Sequence, residues 1–198
     1  MRRNKYLDKL AMTISLLGSP FIVLFSMFVV LAWHFNESLY QFYSYILVTG
    51  TFVILVPLAY LIENIPDLKL IDLHLYHKEE RQKALLVVSS SVLVGYWMLS
   101  SIGIPKPLLI IELVGIFNLI IISVITFKMK LSIHLAVLTI AATLVVYFLG
   151  FSYLPVYLLI IPLAWASFYR ERHDLLEVLS GIGVSLVVTI FSMQILLR

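Results

Sequence analysis

The sequence predicts an all-α fold, a polytopic bundle of about seven transmembrane helices, and three observations carry that expectation. Hydrophobic residues make up 62% of the 198-residue chain and charged residues only 13%, against roughly 45–50% and about 25% in a soluble domain. Seven apolar stretches approach or reach the ~20 residues needed to cross a hydrocarbon layer about 30 Å thick. Lys and Arg gather in alternate connections between those stretches. The length fits one membrane domain. The chain has no cysteine, which excludes disulfides, thiolate metal sites and cysteine nucleophiles together. A formal charge of +3 is too small, and too unevenly placed, for a nucleic-acid partner.

The expected spans are 10–33, 43–62, 84–104, 107–127, 131–150, 153–169 and 175–197. The first follows the basic leader-like Met1-Arg-Arg-Asn-Lys but has no Ala-x-Ala-like cleavage signal, so it is read as a retained span. Pro20 and Pro57 are expected to kink the first two, which membrane helices tolerate when neighbours satisfy the freed backbone groups. The sixth span is the shortest and carries Pro155 and Pro162, so it is expected to be kinked or less tilted than its neighbours.

Of the 14 basic residues, only Lys106 and Arg198 fall on the side of the short links at 34–42, 105–106 and 151–152. The rest lie at the N-terminus and in the links 63–83, 128–130 and 170–174. Orientation follows Lys and Arg rather than net charge. The expectation is an integral membrane protein with its N-terminus and basic face cytoplasmic and its C-terminus outside. His74, His77, His134 and His173 fall on the basic side as well, and His34 alone opposes them. The orientation rule explains the lysines and arginines but not the histidines.

Three clusters on that side carry chemistry. In Lys128-Met-Lys130-Leu-Ser132-Ile-His134, Ser132 is placed to cap the fifth span and His134 falls in its first turn. Free backbone N–H groups and the helix dipole there attract anions, and Lys128 and Lys130 add charge. An interfacial cap with ordinary positive-inside lysines is the alternative. In Arg170-Glu-Arg172-His173-Asp174, Asp174 can cap the last span, and His173 and Glu177 stand four apart on one helix face. A carboxylate so placed holds an imidazole in one tautomer and leaves its other nitrogen to react. The alternative is a solvated loop, but Glu177 lies inside an apolar run, where a carboxylate is expensive. In the long link 63–83, Arg81 can grip a phosphate bidentately, with Lys78 and Lys83 as further charges. The alternative there is an amphipathic interfacial segment. His74 and His77 with Glu79 and Glu80 could be written as a metal site, but no second ligand cluster has fitting spacing, so no metal is assigned. Glu112, inside the fourth span, can pair with Lys106 or make a polar contact between helices.

In order and spacing, these clusters resemble the type 2 phosphatidic acid phosphatase, or lipid phosphate phosphatase, superfamily. That family has three motifs, Lys-x6-Arg-Pro, Pro-Ser-Gly-His and Ser-Arg-x5-His-x3-Asp. The second is similar to Leu131-Ser132-Ile133-His134, which keeps the serine and histidine. The third is similar to Ala166-Ser167, five residues, His173, three residues and Glu177, with Gly181 where the family often has glycine. The first keeps only Arg81, with His74 at the lysine position. Ser167 stands at the position of the motif-three arginine, and both prolines are absent.

The resemblance implies a six-helix lipid-phosphatase-like core and a cofactor-free, metal-independent site in a prokaryotic cell membrane. His173 would attack phosphorus, Glu177 would orient its ring, and His134 would protonate the leaving alkoxide. Arg81, Lys78, Lys128, Arg170 and Ser132 would hold the phosphoryl oxygens. The implied substrate is a membrane lipid phosphate: phosphatidic acid, phosphatidylglycerophosphate or an isoprenyl phosphate. The losses at the motif positions keep open a catalytically inactive relative that binds or transports anionic lipids. A proton-coupled carrier using Glu112 is a third reading.

Overall fold

The structure, a computed structural model, describes residues 4–64 and 78–198, with the side chains of 78–82 outside the description. Every regular element among the described residues is helical: α1 (Lys5–Leu17), α2 (Pro20–Phe35), α3 (Leu39–Thr49), α4 (Val56–Asn64), α5 (Lys78–Ile102), α6 (Lys106–Thr126), α7 (Ile133–Leu149), α8 (Ile160–Tyr169) and α9 (Leu175–Leu196). A π-helical turn, Gly50–Leu55, joins α3 to α4, and a 3-10 helix, Phe151–Leu159, leads into α8. Among the described residues, five continuous helical stretches are long and apolar enough to cross a membrane, and a sixth is added if the bent pair α1–α2 counts as one. Apolar side chains such as Leu47, Trp97 and Val187 point outward, while Asn118, Thr139, Ser185 and Thr189 are buried. An exterior this apolar would be an aggregating surface in water and is the expected one in lipid.

The prolines act where the sequence suggests, with different geometry. The first expected span, 10–33, is two helices bent by 48°. Pro20 occupies the first turn of α2, where its missing N–H costs nothing, and Ser19 caps that helix through its side chain at Ile22 N (3.4 Å). The residue before a proline avoids the α region, so the break falls at Gly18–Ser19. Gly18 packs there against Leu163 of α8; a Cβ on it would stand 2.5 Å from Leu163 Cδ1.

Pro57 produces the π turn. Val56 N bonds back to Thr51 O, so the next bond in that register would run from residue 57 to Phe52 O, and proline has no N–H to make it. The Ser91 hydroxyl of α5 donates to Phe52 O instead, at 2.5 Å. Gly95, one turn further along α5, permits the approach: its absent Cβ would stand 2.8 Å from Phe52 Cβ. Pro155 falls in the 3-10 segment and Pro162 in the first turn of α8, so the sixth expected span is a 3-10 helix continued as an α-helix.

At the centre stands α7. Every residue from Leu138 to Val145 is buried, as expected of a helix that is apolar all round. It packs chiefly on α9, α2 and the 3-10 helix Phe151–Leu159, and α6 packs on α9 and α5. On α9 the buried residues Gly181, Ser185, Thr189 and Ser192 form a small-residue face at helical spacing, which lets backbones approach closely. Asn118 of α6 donates to Thr189 Oγ1 across this contact at 3.0 Å.

Candidate functional site

The site forms where the start of α7, the end of α8 and the start of α9 meet. Helix α8 stops at a left-handed residue, Glu171 (φ 52°). Arg172 N bonds to Ser167 O (3.1 Å) and Glu171 N to Phe168 O (2.9 Å), the paired bonds of a Schellman ending. This reversal turns the chain back on itself and brings Arg172 and His173 over Ser167. Asp174 then caps α9, accepting from Glu177 N at 2.7 Å.

The start of α7 is bound to α9 through the backbone. Ser132 N donates to Glu177 O at 3.1 Å. Gly181 faces the same peptide, and a Cβ there would lie 2.7 Å from Ser132 O. Ser132 occupies the cap position of α7 as expected, but its side chain makes no capping bond. Its hydroxyl is buried with no hydrogen-bond partner among the described residues, and so is that of Ser167.

Both serines line a single cleft together with Ser15, His134, Leu135, Leu163, Arg172 and His173. The two histidines expected to work together therefore share one space. The His173 side chain is 8% exposed and places Nδ1 2.7 Å from Glu177 Oε2. A carboxylate accepts, so Nδ1 carries the proton, and in the neutral ring the free lone pair is then on Nε2. Lys130 Nζ stands 3.5 Å from the same carboxylate oxygen and donates to Arg172 O at 2.9 Å. Lys130 thus ties the link before α7 to the reversal before α9. Burial pushes the Arg172 guanidinium below its ordinary value. Such a cation remains charged, and its partly lost hydration favours an anion beside it.

The phosphate-binding residues expected from sequence are distributed differently. Ser132 is in the cleft, but Lys128 and Arg170 are not among the residues lining it; Lys128 is exposed. Arg172 is the arginine that reaches the cleft, because the Schellman reversal, invisible in the spacing, brings residue 172 rather than 170 to it. The side chains of Lys78 and Arg81 lie outside the described residues, as do His74 and His77. Ser15 comes from α1, an apolar run in which nothing distinguished it. The cleft is small: its volume of about 10 Å³ is room for about one water molecule, so any larger group would need the lining side chains to turn aside.

Away from the cleft, Glu112 is 3% exposed and pairs with Tyr45, whose hydroxyl donates to Oε1 at 3.0 Å. Of the two partners considered from sequence, the contact between helices is the one found. Comparisons with known protein families, with curated proteins and with solved structures find no match.

Proposed function

We propose that this chain is a divergent, metal-independent lipid phosphate phosphatase of the type 2 phosphatidic acid phosphatase kind, acting at the membrane–water boundary. The reading is carried by one observation: His134 and His173 line a common cleft with Arg172 and two buried serine hydroxyls. In this reading all seven apolar segments cross the membrane. The seventh crossing is α7, whose 17 residues rise about 26 Å, near the lower limit for a span. The cleft faces the cytoplasm, as the Lys and Arg distribution favours.

Nε2 of His173 attacks phosphorus in line with the ester oxygen. The P–N bond forms as the P–O bond breaks, and His134 gives its proton to the departing lipid alkoxide. Water then attacks the phosphohistidine with His134 as base, releasing inorganic phosphate and restoring the ring. Glu177 stabilises the positive charge on His173 as the P–N bond forms, and Lys130 holds that carboxylate. Arg172 and the Ser132 and Ser167 hydroxyls meet the phosphoryl oxygens, with Arg81 and Lys78 the candidates for the remaining charge.

The test is phosphate release by purified protein from phosphatidic acid and from isoprenyl phosphates. Wild type is expected to turn over at least one class and His173→Ala to lose it; equal rates would refute the assignment. A second reading, an inactive relative that binds or moves anionic lipids, is favoured by the water-sized cleft and by Ser167 at the motif arginine position. It predicts headgroup binding without phosphate release.

A further inference from the structure

Helix α7 separates the cleft from a larger space. Ser132, His134 and Leu135 face the cleft, while Ile133, Val137, Ile140 and Leu144 face a cavity of about 110 Å³. Those four lie on one stripe of the helix. The facing wall is α6, through Ile111, Gly115, Leu119 and Ile122 among others. From Glu112 to Ile122 that wall rises about 15 Å, so the lining follows the bundle axis. Phe28, Val92, Ile111, Glu112 and Leu144 of the lining are buried. Leu24, Leu85, Leu119 and Ile133 of the lining are half-buried.

Two acceptors interrupt this apolar lining. Glu112 takes the Tyr45 hydroxyl on one oxygen. Asn118, 1% exposed, donates through its amide nitrogen to Val114 O and Thr189 Oγ1, both at 3.0 Å. A carbonyl only accepts, so these bonds fix the amide's orientation. Its Oδ1 is left buried with no hydrogen-bond partner among the described residues. Between the two stands Gly115, where an added Cβ would meet nothing within 4 Å. A mid-helix glycine sacrifices helix stability, and here no close contact requires it; what it does is keep the space open.

We propose that this cavity binds a molecule with an apolar body and a hydrogen-bond-donor head, an aliphatic alcohol or amine. The head meets Asn118 Oδ1, with the Glu112 carboxyl beyond it, and the chain extends along the apolar lining toward Ile133. A pure hydrocarbon would fill the volume but strand the acceptor. The proposal stands apart from the phosphatase reading, because the two spaces lie on different sides of α7.

The probe is a photoreactive octan-1-ol carrying a diazirine on its chain, irradiated with the full-length protein in lipid nanodiscs and mapped by peptide mass spectrometry. Adducts are expected on cavity-lining residues of α6 and α7. Octan-1-ol should compete at least about tenfold better than n-octane. Octylamine should compete as well, and lose ground to octan-1-ol in Glu112→Gln if it is the charged head that is held. Gly115→Leu, which fills the space, should abolish cavity labelling, and His173→Ala should leave it intact. Adducts confined to lipid-facing residues such as Ile120 and Val124, or equal competition by n-octane, would overturn the proposal. The competition in wild type stands as a test even if Gly115→Leu fails to fold.

Discussion

Gly181 lies so close to Ser132 that a single added carbon would stand 2.7 Å from the Ser132 carbonyl oxygen. Backbone is on both sides of this contact, so neither partner can rotate away. The same turn of α9 accepts the Ser132 N–H through Glu177 O. Together the two contacts set the distance between the start of α7, which carries His134, and the start of α9, which carries Glu177. Gly181→Ala is expected to cost about 1–3 kcal/mol and to lower phosphate release by spreading the cleft. Gly183→Ala, with nothing within 4 Å, is the control and should be neutral or slightly stabilising. Thermal unfolding in detergent, beside turnover, separates the two variants.

Glu177→Gln keeps the shape of the His173 partner and removes its charge. An amide can present its nitrogen to the ring and favour the wrong tautomer, and it cannot stabilise a positive imidazolium. Loss of turnover by about 10²–10⁴-fold is expected, by analogy with the effect of neutralising the carboxylate of a His–Asp pair. Lys130→Met should cost far less, under about tenfold, because Lys130 is 43% exposed and water screens its charge. Equal losses in kcat for the two would assign Lys130 a larger part than positioning the carboxylate.

The π turn gives a stability prediction independent of function. Ser91→Ala removes the donor to Phe52 O and should cost about 1–3 kcal/mol, the usual effect of stranding a buried polar group. Pro57→Ala restores a backbone N–H next to that carbonyl. The cost of Ser91→Ala should therefore shrink in a Pro57→Ala background. A double-mutant cycle by thermal or denaturant unfolding measures this coupling; simple additivity would contradict the bond exchange between the proline and the serine.

Orientation is open to a direct measurement, since the chain has no cysteine. Lys128 and Glu37 are exposed and lie in links assigned to opposite faces. A membrane-impermeant maleimide should label Glu37→Cys in intact cells and Lys128→Cys only after permeabilisation. The reverse pattern would turn the cleft outward.

How much of this could be read from sequence depends on the range of the interaction concerned. The apolar runs, the Asp174 cap and the His173–Glu177 pair are local, fixed by hydropathy and by i, i+3 or i, i+4 geometry, and each has a counterpart in the structure. The response to Pro57 was legible in kind, since a freed carbonyl needs a donor, but not that Ser91, on another helix, would provide it. The roles of Arg170 and Arg172 could not be told apart by spacing, because the left-handed Glu171 that re-aims the chain is a non-glycine residue without a turn signature. Asn118 carries a sequence signal of its own: an amide inside an apolar span, as conspicuous there as Glu112. Ser15 gave none, since its place in the cleft depends on how α1 packs against α8.

In the proposed mechanism His173 takes the phosphoryl group. The most direct measurement mixes the purified protein with phosphatidic acid or an isoprenyl phosphate labelled in its phosphate, quenches in alkali to preserve phosphohistidine, and maps the label by peptide. The proposed mechanism predicts label on the peptide carrying His173 and none in His173→Ala. Phosphate released at equal rates by wild type and His173→Ala, or label on any residue other than His173, would contradict it.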